Sequence, residues 1–169
     1  AGSFSITPQA GIGIQFYSDK TPSGVSQQSF QLQGAYHLSK GNGLWSFGLS
    51  AGLQTKSFDG RVFRVRDPND PLANLLSGSP VSQTLPDFGL GAVYSTDNWQ
   101  VGITADHLSS PNFEFNGGTA SMPLERVFAL HGSGEIPLSD YFDVLPYALV
   151  RYYSGQLVPE GGARVYYNK

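Results

Sequence analysis

Period-2 alternation of apolar and polar positions runs through most of the chain, and 3.6-residue periodicity is nearly absent. The clearest case is residues 44–57. There Trp45, Phe47, Leu49, Ala51 and Leu53 alternate with Ser46, Gly48, Ser50, Gly52 and Gln54. Residues 86–103 read as two strands joined by a minimal turn, "TDN". Phe88, Leu90, Ala92 and Tyr94 oppose Asp87, Gly89, Gly91 and Val93; Trp99, Val101, Ile103 and Ala105 then oppose Gln100, Gly102, Thr104 and Asp106. Further strands are predicted at about 9–18, 26–38, 124–135, 142–153 and 159–168, giving about eight in all. The pattern leaves the faces of 124–135 open, because Val127 and Ala129 fall opposite Phe128 and Leu130.

The two faces differ in kind. One carries aromatic and aliphatic side chains; the other carries glycine, serine, threonine and glutamine. A soluble barrel fills its interior with branched aliphatics, and the small polar face cannot do so. It suits a wet or plugged lumen, which leaves the apolar face to meet lipid. Strands of roughly 10–14 residues are long enough to cross a bilayer when tilted, and a sheet in hydrocarbon has to close on itself. The predicted fold is therefore an all-β, antiparallel transmembrane β-barrel. The connections support it by alternating in length: "SKGNG", "TDN" and "IPLSD" are short, whereas "SDKTPSGVS", 58–85 and "LSSPNFEFNGGTASMP" are long. Transmembrane barrels sort their connections in this way, with short turns at one end and long loops at the other.

Composition agrees. Only 14% of the 169 residues are charged, against roughly 25% in soluble domains. Aromatics reach 13% and glycine 21 residues. No run of apolar residues is long enough for a transmembrane helix. The net charge of -3 gives no basis for nucleic-acid binding. There are no cysteines, so disulfides and thiolate metal sites are absent. Residues 1–9 show no basic stretch followed by an apolar one.

Many tyrosines and both tryptophans fall near predicted strand ends. Trp45, Tyr94, Trp99 and Tyr166 are the candidate membrane-interface aromatics, since an apolar ring with a polar tip collects at that boundary. The general preference of aromatics for strands is the plainer account of them. Arg151, Glu160 and Arg164 lie on the last two predicted strands and are candidate lumen residues, because an Arg facing lipid at mid-depth costs about 2–4 kcal/mol. The long loop holds "RDPNDP". Asp67, Asn69 and Asp70 there could hold calcium, but no glycine turn or distal bidentate Glu accompanies them, and two prolines with turn-forming Asp and Asn read more simply as a rigid loop. Arg66, Asp67, Asn69 and Asp70 are the candidate partner-contact residues. His37, His107 and His131 have no metal-ligand spacing, and Asp106 and His107, adjacent in a strand, are expected to face opposite ways. No GxSxG elbow is present. No enzyme, cofactor or metal is expected.

Four segments in order carry a resemblance: "AYHLSKGNGLWSFGLSAGLQ" (35–54), "DPNDP" (67–71), "PDFGLGAVYSTDNWQVGITADHL" (86–108) and "YALVRYYSG" (147–155). They resemble the PorP/SprF family of outer-membrane barrels in the type IX secretion and gliding apparatus, from about Gly11 to Lys169. Thr104 and Asp106 stand where other residues are commoner. The resemblance implies an integral outer-membrane protein with no turnover, which anchors or assists export of a secreted surface adhesin and meets periplasmic ring subunits. A porin-like channel for small solutes is the alternative. Family members are usually longer, so residues 1–169 are expected to be a single barrel domain, incomplete at one or both ends and part of a larger barrel.

Overall fold

The computed structural model describes residues 2–59, 80–115 and 120–167. Among them are twelve strands and no helix: β1 (Gly2–Thr7), β2 (Ala10–Lys20), β3 (Val25–Lys40), β4 (Gly43–Phe58), β5 (Val81–Ser95), β6 (Trp99–Asp106), β7 (Asn112–Phe115), β8 (Ala120–Pro123), β9 (Val127–Gly134), β10 (Ile136–Ser139), β11 (Phe142–Tyr153) and β12 (Gln156–Tyr167). The eight expected strands are β2–β6, β9, β11 and β12. β1 is short but alternates as the others do, with Phe4 opposite Ile12 and Ser5 opposite Gly11.

The main sheet is an antiparallel meander running β1-β2-β3-β4-β5-β6-β9-β11, with β12 on the far edge of β11. β10 lies on the same edge of β11 as β9 and in the same register, Ile136 opposite Val144 and Ser133 opposite Tyr147. The two are one strand interrupted near Pro146, which has no N–H to give to the ladder. Neither β1 nor β12 finds a partner on its outer edge among the described residues. The structure is thus an all-β antiparallel sheet as expected, and it is not a closed barrel.

The sheet nevertheless curls. A cavity of about 470 Å³ is lined by Ser3 and Ser5 of β1 together with Thr104 and Asp106 of β6. In a flat sheet those strands would stand about 24 Å apart, five spacings of about 4.8 Å. Gln33, His37 and Ser50 line the same cavity, so the polar face is the concave one. Cross-strand hydrogen bonds knit it: Gln33 Nε2 donates to Gln15 Oε1 (3.0 Å), His37 Nδ1 lies 2.8 Å from Ser46 Oγ, and Gln100 Nε2 donates to Ser133 Oγ (2.9 Å). Where side chains are large, their cross-strand partner is glycine: a Cβ on Gly102 would strike the His131 ring, and one on Gly162 would come within 2.7 Å of the Tyr147 hydroxyl.

The convex face is apolar and bare. Leu49 is 70% exposed and Ile103 55%, and Phe16, Phe30, Phe47, Phe88, Val101 and Leu130 are exposed as well. The register places Phe128 and Leu130 on this face, opposite Ala105 and Ile103, which settles the faces of β9. The buried hydrophobic residues are Ala105, Phe113 and Phe115 alone among those described. Among the described residues no layer covers the convex face, so its apolar side chains form no conventional core.

Connections at one end of the sheet are tight: 8–9, 41–42, 96–98 and 140–141. The other end carries 21–24, 59–80 and 107–126, but also the two-residue turn 154–155. There Ser154 and Gly155 have φ of 50° and 79°, the positive pair that a two-residue hairpin turn needs. The alternation of loop lengths therefore holds for all connections but the last.

Candidate functional site

The most organised part of the polar face is built around Asp87 of β5, whose side chain is 2% exposed. Its carboxylate collects donors from three places, with a fourth side chain close by. Phe88 N donates to Oδ1 at 3.0 Å, Gln54 Nε2 donates to Oδ2 at 3.2 Å, and His107 Nδ1 lies 2.7 Å from Oδ2. Ser109 Oγ lies 3.5 Å from Oδ1 and donates at 2.8 Å to the Pro86 carbonyl. A carboxylate only accepts, so the His107 proton between them sits on Nδ1. Such saturation is what a buried carboxylate requires. Gln54, itself 4% exposed, leaves its Oε1 without a partner.

His107 reaches Asp87 because the β5–β6 ladder slips there. Leu90 pairs with Ala105, but Leu108 N bonds the Phe88 carbonyl, one residue out of step. His107 occupies the extra position with φ 57°. A bulge of this kind turns a side chain across the sheet. Asp106 keeps to the polar face, within reach of Gly89, so the expected opposition of Asp106 and His107 fails at this residue. The two do not pair with each other. The partner of His107 is Asp87, which no sequence spacing announced.

Beyond the bulge the chain folds back over the concave wall. β7 and β8 form a separate two-stranded sheet packed against β5. Phe113 is 0% and Phe115 4% exposed, and the Lys56 ammonium stands 5.0 Å from the centre of the Phe113 ring. Glu114 N donates to Gln83 Oε1 at 2.7 Å. The base of the hairpin is closed by Leu124 N to the Pro111 carbonyl and by Arg126 Nε to the Leu108 carbonyl. The sequence hint was the alternation of Phe113 and Phe115 inside a segment otherwise read as a loop.

The other candidate residues fall as follows. Trp45, Tyr94 and Trp99 lie on the apolar face at the tight-turn end, with the rings of Trp45 and Tyr94 4.7 Å apart. Tyr166 does not join them. It opposes Asp143 on the polar face, and Tyr167, its ring 5.1 Å from Phe142, takes the apolar-face position. One residue in an unbroken period-2 register decides the side. Arg151, Glu160 and Arg164 all lie on the polar face of β11 and β12. Arg151 and Glu160 form an ion pair, both partly exposed. Arg164 stands apart from them, in a cavity of about 400 Å³ lined also by Gln100, Ser133 and Tyr147 at the tight-turn end. The three histidines are kept apart: His37 holds Ser46, His131 covers Gly102, and His107 holds Asp87. Arg66, Asp67, Asn69 and Asp70 lie outside the described residues.

A curled antiparallel sheet with a bare apolar convex face and a hydrogen-bonded polar concave face suits a lipid boundary. A family model described as type IX secretion system membrane protein PorP/SprF matches residues 1–169. The chain belongs to the PorP/SprF family. No curated protein sequence matches it. Membership makes the chain a membrane component of type IX secretion. It also accounts for a sheet that exposes Leu49 and Ile103 while hiding Asp87.

Proposed function

We propose that this PorP/SprF chain forms the wall of an integral outer-membrane barrel, with no catalytic turnover, that anchors or assists export of a secreted surface protein, including adhesins of gliding motility. The observation that carries the reading is the inversion of faces: exposed Leu49, Ile103 and Leu130 outside, and the Asp87 network inside. Aqueous solvent does not reward that arrangement, and lipid does. The long connections at one end, among them Arg66, Asp67, Asn69 and Asp70, are the proposed contact with the secreted partner. The tight turns, on the opposite rim, are the proposed contact with periplasmic ring subunits.

Extraction from native outer membranes in mild detergent, followed by mass spectrometry of co-purifying proteins, tests this. A stoichiometric surface protein or ring subunit is the expected result. A porin-like channel is the second reading, favoured by the cavity of about 470 Å³ between Ser3, Gln33 and Thr104. A protein that purifies alone and conducts ions in planar bilayers would establish the channel and overturn the anchor.

A further inference from the structure

The described contacts that hold the β7–β8 hairpin to the wall are separate from the pairing of the main sheet. The hairpin shares no ladder with the main sheet. Its described backbone bond to the wall is the one from Glu114 N to the Gln83 side chain. Its apolar anchors are the buried Phe113 and Phe115, and Lys56 stands over the Phe113 ring. The strand pairing of the wall beneath does not run through it: β4 and β5 pair without interruption from Leu44 to Phe58. The approach to the hairpin, in contrast, is sprung. His107 and Ser110 both carry positive φ, 57° and 43°, a conformation that disfavours a residue with a Cβ. Asp87 holds this segment through His107 Nδ1, and the Pro86 carbonyl holds it through Ser109 Oγ.

We propose that β7 and β8 form a displaceable strap over the concave wall of β4 and β5, and that the contact between His107 and Asp87 is its latch. Seated, the strap covers the polar wall next to the long connections. Released, it uncovers Lys56, Gln83 and the wall between them. This rests on the concave face being the inside of a membrane barrel.

The strap can be watched directly. The chain has no cysteine, so spin labels go only where cysteines are placed, here Glu114→Cys on the strap and Ser133→Cys on the polar face of β9. Distances are measured by double electron–electron resonance in detergent micelles. The expected result is a major seated distance and a minor longer one. Adding His107→Ala should raise the ratio of lifted to seated strap about tenfold, the scale of one lost charge-assisted hydrogen bond. Gln83→Ala should raise it by a smaller factor. Neither change touches the β3–β4 or β9–β11 ladders, so both variants should keep their β-circular dichroism. A single unchanged distance in all three proteins overturns the strap. Equal shifts from His107→Ala and from a remote control, Ser39→Ala, overturn the latch. Insertion into lipid vesicles is scored separately by protection from trypsin. Failure there counts against the membrane reading, while the distances in micelles still decide the strap.

Discussion

Leu49 gives the sharpest test of which face meets lipid. It is 70% exposed and pairs with Gly34 on one side and Leu90 on the other. Along β4 the apolar face runs from Trp45 to Leu53, eight steps or about 27 Å at roughly 3.4 Å each. A tilt of about 40° reduces this to roughly 21 Å along the membrane normal, near the ~25 Å apolar band of such barrels. Beyond Leu53 the same face turns polar, with Thr55 bonded to Thr84 at 2.8 Å and Ser57 to Ser82 at 2.9 Å. Leu49 is therefore at mid-band, about 10 Å from either boundary by the same estimate. Leu49→Arg in lipid should cost about 2–4 kcal/mol, a shift of roughly 30- to 700-fold in the folding equilibrium at ~1.4 kcal/mol per tenfold. Ser57→Arg, past the boundary, should cost no more than about 1 kcal/mol. Were the face exposed to water, both substitutions would fall within about 0.5 kcal/mol of the parent. The assay is urea unfolding in phospholipid vesicles, followed by tryptophan fluorescence of Trp45 and Trp99. Equal stability of the Leu49→Arg, Ser57→Arg and parent proteins would falsify the assignment of the convex face to lipid.

Other expectations come from the glycines and from the concave side. Gly52→Ala should destabilise by at least about 2 kcal/mol, because the new Cβ collides with the Phe30 carbonyl oxygen, whereas Gly34→Ala meets nothing within 4 Å and should be nearly neutral; the same unfolding assay compares them. At His107, glycine should be the better of two bad replacements: both lose the Asp87 bond, but alanine keeps the positive-φ strain, so His107→Gly should exceed His107→Ala in stability by about 1 kcal/mol. The reverse order in vesicle unfolding curves would show that residue 107 is not held in that conformation. Arg151→Ala and Glu160→Ala should each cost less than about 1 kcal/mol, since the pair is partly exposed. A loss of several kcal/mol from either would mean that water does not reach this part of the wall.

The sequence made the sheet legible and its closure illegible, and the reason lies in what repeats. Alternation such as Trp45, Phe47, Leu49, Ala51 and Leu53 against Ser46, Gly48, Ser50, Gly52 and Gln54 is a local rule imposed by the pleat. It survives in the structure residue for residue along β4. Closure depends on which edges meet, and β1 and β12 have no feature in their own residues that names a neighbour. Tyr166 shows how narrow the margin is, because one step of register moves a ring from the apolar face to the polar one. The Asp87 site was hidden for a different reason. Its partners come from two separate places, Gln54 on β4 and the segment of His107 and Ser109 beyond β6, and they converge only because a bulge breaks the alternation that made everything else readable. Asp87 was nonetheless a visible anomaly: the one charged residue among the polar-face positions of β5, from Val81 to Ser95. A strand can hide such a charge only if the chain returns to satisfy it. In this molecule the returning segment is the one that carries the hairpin. The residue that breaks the pattern is thus also the residue that decides where the hairpin lies.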